Sequence, residues 1–122
     1  LDIISDQTSS TKPTRFMVLS PIIRDKKGQF KDLFDNLQKK GIQRVRVDNH
    51  LINLDEDITL IKTNRHTIEA VIERITISKK QLKDKNELNL LKKRLTQSIE
   101  TALNLANGLV ILTQVKDASL SF

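Results

Sequence analysis

The segment Gln43-Arg44-Val45-Arg46-Val47-Asp48 alternates cation with β-branched apolar residue, and this alternation restricts the fold more than any other feature of the chain. Successive side chains of a strand leave opposite faces, so Val45 and Val47 share one face and Arg44 and Arg46 the other. A second such segment, Asn64-Arg65-His66-Thr67-Ile68-Glu69-Ala70-Val71-Ile72-Glu73-Arg74, follows a short loop later and opens a long strand signal over Thr67 to Ile77. Arginines are thus expected on two neighbouring strands. The planar fork of an arginine, held on a rigid extended backbone, makes paired hydrogen bonds to a carboxylate or phosphate. The chain reads as built to hold an anion or an acidic partner. In the longer strand the parity slips: Ile68, Ala70 and Ile72 share a face with Arg74, whereas Val71, Ile75 and Ile77 share the other with Glu69 and Glu73. A bulge or strong twist near Glu73-Arg74 reconciles the two halves and re-aims the arginine.

The remaining elements follow from periodicity. Gln7 to Thr14 is polar and reads as a loop. Phe16-Met17-Val18-Leu19, resuming as Ile22-Ile23 after Ser20-Pro21, suits a strand covered on both faces that Pro21 ends or bends. Arg24 to Gly28 reads as a basic turn. Phe30, Leu33, Phe34 and Leu37 recur at helical spacing up to a C-cap at Gly41, with Lys39 and Lys40 at the helix's negative end. Strand Ile42 to Asp48 turns at Asp48-Asn49, two residues that tolerate positive φ, into Leu51-Ile52-Asn53-Leu54. Asp84-x-x-Glu87 has the form of a capping box, and Leu88, Leu91, Leu95, Ile99, Ala102, Leu103 and Ala106 make an apolar stripe that stops at Gly108. Leu109 to Leu112 is read as a last buried strand. The order β-α-β-β-β-α-β predicts an α+β fold: a mostly antiparallel sheet with two helices packed on one side. The expected division is a flanking segment over 1–14, one domain over 15–113 and a second flanking segment over 114–122.

Composition narrows the function. A chain of 122 residues can bury about two-thirds of the surface its unfolded form exposes. No apolar run approaches the roughly 20 residues needed to cross a bilayer, so a membrane role is not expected. Cysteine is absent, which excludes disulfides, thiolate metal sites and a cysteine nucleophile, and with no secretory apolar segment at its start the expected compartment is a reducing cytoplasm. His50 and His66 are too far apart in sequence to suggest a metal. Lysine and arginine outnumber acids 21 to 15, and the net charge of +6 favours acidic partners, either nucleic acid or an acidic protein face. Four Phe with no Tyr or Trp argue against stacking of single-stranded bases.

No catalytic constellation emerges. The glycines Gly28, Gly41 and Gly108 stand in no phosphate-loop frame. Asp55-Glu56-Asp57 could bind a cation or be a solvated turn, and it lacks calcium-loop spacing. His66 could act as a base or partner contact, or bond to backbone at a strand edge. Lys79 to Lys93 could be a solvated helix face or a phosphate-binding one. Arg44, Arg46 and Arg74 could form surface ion pairs with Glu69 and Glu73, or hold a partner.

Four ordered motifs carry a family resemblance: Pro21-x-Ile23-Arg24 with Lys27-Gly28; Arg44-Val45-Arg46-Val47-Asp48; His66-x-Ile68-Glu69 leading to Ile72-Glu73-Arg74; and Ser98-x-Glu100-Thr101-Ala102-Leu103 ending at Gly108. They resemble the UvrB-binding domain of UvrA, the damage-recognition ATPase of bacterial nucleotide excision repair, over Phe16 to about Leu112. The resemblance implies an insertion domain that recruits UvrB by gripping its acidic domain. It implies Arg44 and Arg74 as partner-facing positions, with Arg46, Lys27 and Arg65 as further partner-binding candidates. It also implies a homodimeric parent that meets damaged DNA, binds ATP and carries zinc, with both cofactors outside this chain. Leu1 to Ile4 resembles the end of a preceding helix, and Leu120-Ser121-Phe122 the approach to a zinc module. The competing reading is a basic domain that contacts DNA phosphates directly.

Overall fold

The computed structural model describes residues 13–115; the expectations for Leu1 to Ile4, for most of the loop from Gln7 and for Leu120 to Phe122 lie outside them. Five strands, β1 (Thr14–Lys27), β2 (Arg44–Val47), β3 (His50–Asn53), β4 (Arg65–Ile77) and β5 (Ile111–Val115), form one sheet in the order β3-β2-β4-β1-β5. Every neighbouring pair is antiparallel. Three helices, α1 (Lys31–Lys39), α2 (Lys79–Lys83) and α3 (Lys85–Leu105), complete the described residues. The fold is α+β.

The register fixes two faces. Phe16 and Val18 of β1 with Ile75 and Ile77 of β4 meet Leu91, Leu95 and Ala102 of α3. Val45 and Val47 of β2 with Ile68 and Ala70 of β4 meet Phe34 and Leu37 of α1. The inner face therefore carries both long helices, each over its own half. On the outer face Met17, Leu19 and Val71 are buried and make a smaller apolar cluster with Leu51, Ile111 and Val115. The central strand β1 is accordingly buried on both faces, as its unbroken apolar run predicts: Phe16, Met17, Val18, Leu19 and Ser20 are all at most 2% exposed. Ser20, polar in this setting, donates from Oγ to the Ala102 carbonyl at 2.8 Å, tying β1 to α3.

Several elements differ from expectation. Arg24 to Lys27 is not a turn but the continuation of β1, paired as far as Lys27 with Arg65. Pro21 bends the strand instead of ending it: the register shifts between Pro21 and Ile23, and β5 pairs no further than Leu19, so the missing N–H falls where no β5 acceptor waits. The last strand is not the buried Leu109 to Leu112 but an edge strand two residues later, with Leu109 and Leu112 46% and 41% exposed. A short helix, α2, precedes α3, and the reciprocal capping box belongs to it: Ser78 Oγ accepts from the Gln81 N–H at 3.2 Å and Gln81 Oε1 from the Ser78 N–H at 2.8 Å. At Asp84 only one half of the expected box forms, the carboxylate accepting from the Asn86 and Glu87 N–H groups. Asp48 and Asn49 do make the tight turn, at φ 50° and 70°.

Candidate functional site: an arginine cleft

The site grows from one irregularity in β4. Val18 pairs with Glu73 but Leu19 pairs with Val71, so Ile72 is an extra residue opposite β1. This is the bulge the parity demands, placed one residue before the expected Glu73-Arg74. Glu73, opposite Val18, turns to the helical face; Arg74, opposite Met17, turns to the outer face with Val71 and Glu69. Without the extra residue Arg74 would have followed Ile68 and Ala70 inward. On β2, Arg46 pairs with Glu69 while Val45 and Val47 point to the core, so Arg44 and Arg46 share the outer face with Arg74. The β2–β4 ladder runs no further than Val45 with Ala70, and beyond it the two segments part. A cleft of about 270 Å³ opens there, walled by Gly41 to Arg44 on one side and Val71 to Arg74 on the other. It continues past Arg44 into a recess of about 470 Å³ that reaches Asn53 and Asp55.

Arg44, Arg46 and Glu73 are each held in place. Arg44 donates from Nε to Asn53 Oδ1 at 2.7 Å across the hairpin. Arg46 donates from Nε and Nη2 to the two oxygens of Glu69 at 2.6 and 2.9 Å, a bidentate pair whose carboxylate side chain is only 6% exposed. Glu73 is gripped from α3: Arg94 Nη2 donates to its Oε1 at 2.5 Å and to the Arg74 carbonyl at 3.2 Å, while Ser98 Oγ lies 3.4 Å from Oε2. Glu73 is thereby drawn toward α3 and away from the outer arginines.

The family model described as the UvrA interaction domain matches residues 2–116. The chain belongs to the UvrA interaction-domain family. Among its relatives is UvrABC system protein A of Streptomyces avermitilis, 48% identical over 99 residues, which are 81% of this chain and 9% of the relative. The protein of that name from Mycobacterium tuberculosis is 42% identical over 110 residues, 90% of this chain and 10% of the relative. That of Aquifex aeolicus is 36% identical over 115 residues, 94% of this chain and 11% of the relative. The chain thus spans about a tenth of the length of these relatives, which belong to a DNA-repair system, nucleotide excision repair.

In this UvrA interaction domain, three of the five sequence-predicted positions, Arg44, Arg46 and Arg74, are brought to one face. Lys27 and Arg65 are not among them. They pair with each other at the far end of the β1–β4 ladder, about 30 Å of strand from Arg74 at roughly 3.3 Å per residue. Arg65 Nη1 donates there to the Asp25 carbonyl at 2.9 Å. Sequence reasoning did not single out Arg94 or Asn53, which orient the site. The signal for Arg94 was faint: an acid at Glu73 that the bulge leaves on the helical face needs a cation from a helix.

His66 is bonded to backbone, as one of its sequence readings has it, and to a carboxylate as well. It is 8% exposed, with Nδ1 2.7 Å from Asp48 Oδ2 and Nε2 3.2 Å from the Ile61 carbonyl. Both neighbours are acceptors, so the arrangement favours the doubly protonated ring. The Asp48 hydrogen bond pushes the His66 pKa above 6.5 against the opposing effect of burial. The His66 hydrogen bond, followed by the Thr67 N–H, holds Asp48 below 3.8. Asp55-Glu56-Asp57 is a loop, and among the described residues no three His, Cys, Asp or Glu side chains gather to hold a metal ion. No helix among them is long and apolar enough to cross a membrane.

Proposed function

We propose that this domain is the part of UvrA that recruits UvrB, and that the arginine cleft is where an acidic surface of UvrB seats. The observation that carries the reading is the bulge at Ile72, which turns Arg74 onto the face of Arg44 and into the same cleft. Arg44, already oriented by Asn53, presents its remaining N–H groups to a carboxylate without first losing rotamer freedom. Arg46 has a different part. Its fork is spent on Glu69, so it neutralises an acid of the outer face beside the cleft. Lys27 and Arg65, at the remote end, add to the field that steers the partner more than to the grip.

The domain performs no chemistry in this reading and needs no cofactor of its own. ATP hydrolysis, zinc and dimerisation belong to the rest of a cytoplasmic parent.

The test is binding of purified UvrB to Arg44→Glu and Arg74→Glu, with circular dichroism to establish folding. Truncating one side of a desolvated, hydrogen-bonded charge pair costs about 2 to 5 kcal/mol, more than tenfold in affinity, and reversal costs more. Each reversal is expected to abolish capture while leaving the fold intact. Near wild-type affinity in both variants overturns the assignment.

A further inference from the structure

Opposite the arginine cleft, on the helical side of the sheet, lies a second cationic surface with different chemistry. Lys79, Lys80 and Lys83 of α2 and Lys85, Lys92 and Lys93 of α3 are all exposed, and among the described residues none of them makes an ion pair or a side-chain hydrogen bond. The inward positions of the same helices, Leu82, Leu91 and Leu95, face the core, so the fold directs the lysines outward. On α3, Lys85 and Lys92 stand two turns apart on one stripe, about 10 Å along the axis.

Helix stability accounts for only part of this placement. Lys83 lies in the last turn of α2, where a cation is favoured, and Lys85 opens α3 beside Glu87, but Lys79 opens α2, whose first turn has no acid. Asp84, the acid between them, is occupied in capping α3. The lysines repel one another, Lys79 also opposes the dipole of α2, and an anion supplied from outside relieves both.

We propose that the Lys79–Lys93 surface binds the phosphate backbone of double-stranded DNA without reading sequence, independently of the arginine cleft. The residue type fits that partner. A lysine ammonium is a mobile point charge that follows a phosphate row, whereas a fixed arginine fork suits a carboxylate held in one geometry. The surface offers no aromatic side chain for stacking single-stranded bases, and duplex DNA presents one charge per roughly 1.7 Å of its axis, dense enough to engage lysines spaced along a helix. The opposed positions of cleft and lysine surface allow the domain to hold an acidic protein and a duplex at once.

The test measures binding of the whole chain to a fluorescent random-sequence duplex by anisotropy, as a function of salt. The variant Lys79→Gln/Lys80→Gln/Lys83→Gln/Lys85→Gln keeps helix-forming residues and removes four charges. Each lysine on a phosphate contributes about −0.9 to the slope of log affinity against log salt, so the variant's slope is expected to be shallower by about 3.6. Across a fourfold rise in salt that is about a 150-fold smaller loss of affinity. Arg44→Glu/Arg74→Glu is expected to leave duplex binding within a few-fold, and the lysine variant to leave UvrB capture unchanged. An unaltered slope in the lysine variant overturns the proposal, as does loss of duplex binding in the arginine variant. Equal binding to anionic phosphatidylserine vesicles, with the exposed Leu90 inserting, overturns it too. UvrB capture persisting in Arg44→Glu/Arg74→Glu would refute the cleft and leave the duplex result standing.

Discussion

Arg46 and Glu69 offer the clearest separation between a group that holds the site together and one that grips a partner. Arg46→Ala removes two hydrogen bonds, at 2.6 and 2.9 Å, from a carboxylate that is 6% exposed and sits between β1 and β2 in the middle of the sheet. Breaking a buried pair by deleting one member costs about 3 to 5 kcal/mol, because the other is left charged and unsolvated. The guanidinium is 18% exposed, so water partly reaches the site and the lower figure, about 3 kcal/mol, is expected. With a urea m-value of about 2 kcal/mol/M for a small domain, the unfolding midpoint falls by about 1.5 M. Arg46→Met combined with Glu69→Leu removes both charges and fills the space, and its stability should return to within about 1 kcal/mol of wild type. UvrB capture should survive in the double variant, since one positive and one negative charge leave together. The measurements are urea titrations followed by circular dichroism, then binding assays on the folded variants. A midpoint shift below about 0.3 M for Arg46→Ala would show an ordinary surface pair, and loss of capture in the double variant would make Arg46 a gripping residue.

Two further expectations rest on neighbouring groups. His66 has a raised pKa when folded, so its stabilising contribution is complete below its ordinary value of 6.5 and is lost as pH rises through the folded value. Wild type should therefore lose its advantage over His66→Gln as pH rises above 6.5 in urea titrations, whereas Asp48, held below 3.8, gives way only on acidification. An advantage that grows with alkaline pH would contradict the doubly protonated ring. Arg94→Ala should cost less than about 1 kcal/mol of stability, because Arg94 is 52% exposed, yet weaken UvrB binding about fivefold by leaving Glu73 bare at the cleft. Unchanged affinity, read by calorimetry, would mean that Glu73 does not reach the partner.

How much of this was written locally can be judged element by element. The faces of β2, the positive-φ turn at Asp48-Asn49 and the buried stripes of α1 and α3 follow from periods of two and 3.6 and from residues that tolerate αL, all local properties. The bulge was half legible. Parity requires a slip between Ala70 and Ile75, but Ile72 is apolar and content on either face, so its position is set by pairing with β1, some fifty residues earlier. The continuation of β1 beyond Pro21 was hidden because a proline stops a strand only where its missing N–H is needed, and that depends on where β5 ends. Apolar content misplaced β5: Leu109 to Leu112 looks like a core strand, but at the sheet edge such residues are half exposed. Arg94 and Asn53 lie 21 and nine residues from the groups they orient, beyond local pattern.

The division of the inner face between two helices has a mechanical consequence. Among the described residues Ile72 alone packs against both inner clusters, and it sits in the bulge where the β2–β4 ladder stops. The seam between the halves is crossed by the continuous strands β1 and β4 and, among the inner side chains, by Ile72. A change at Ile72 therefore reaches both halves of the core and the wall of the arginine cleft at once.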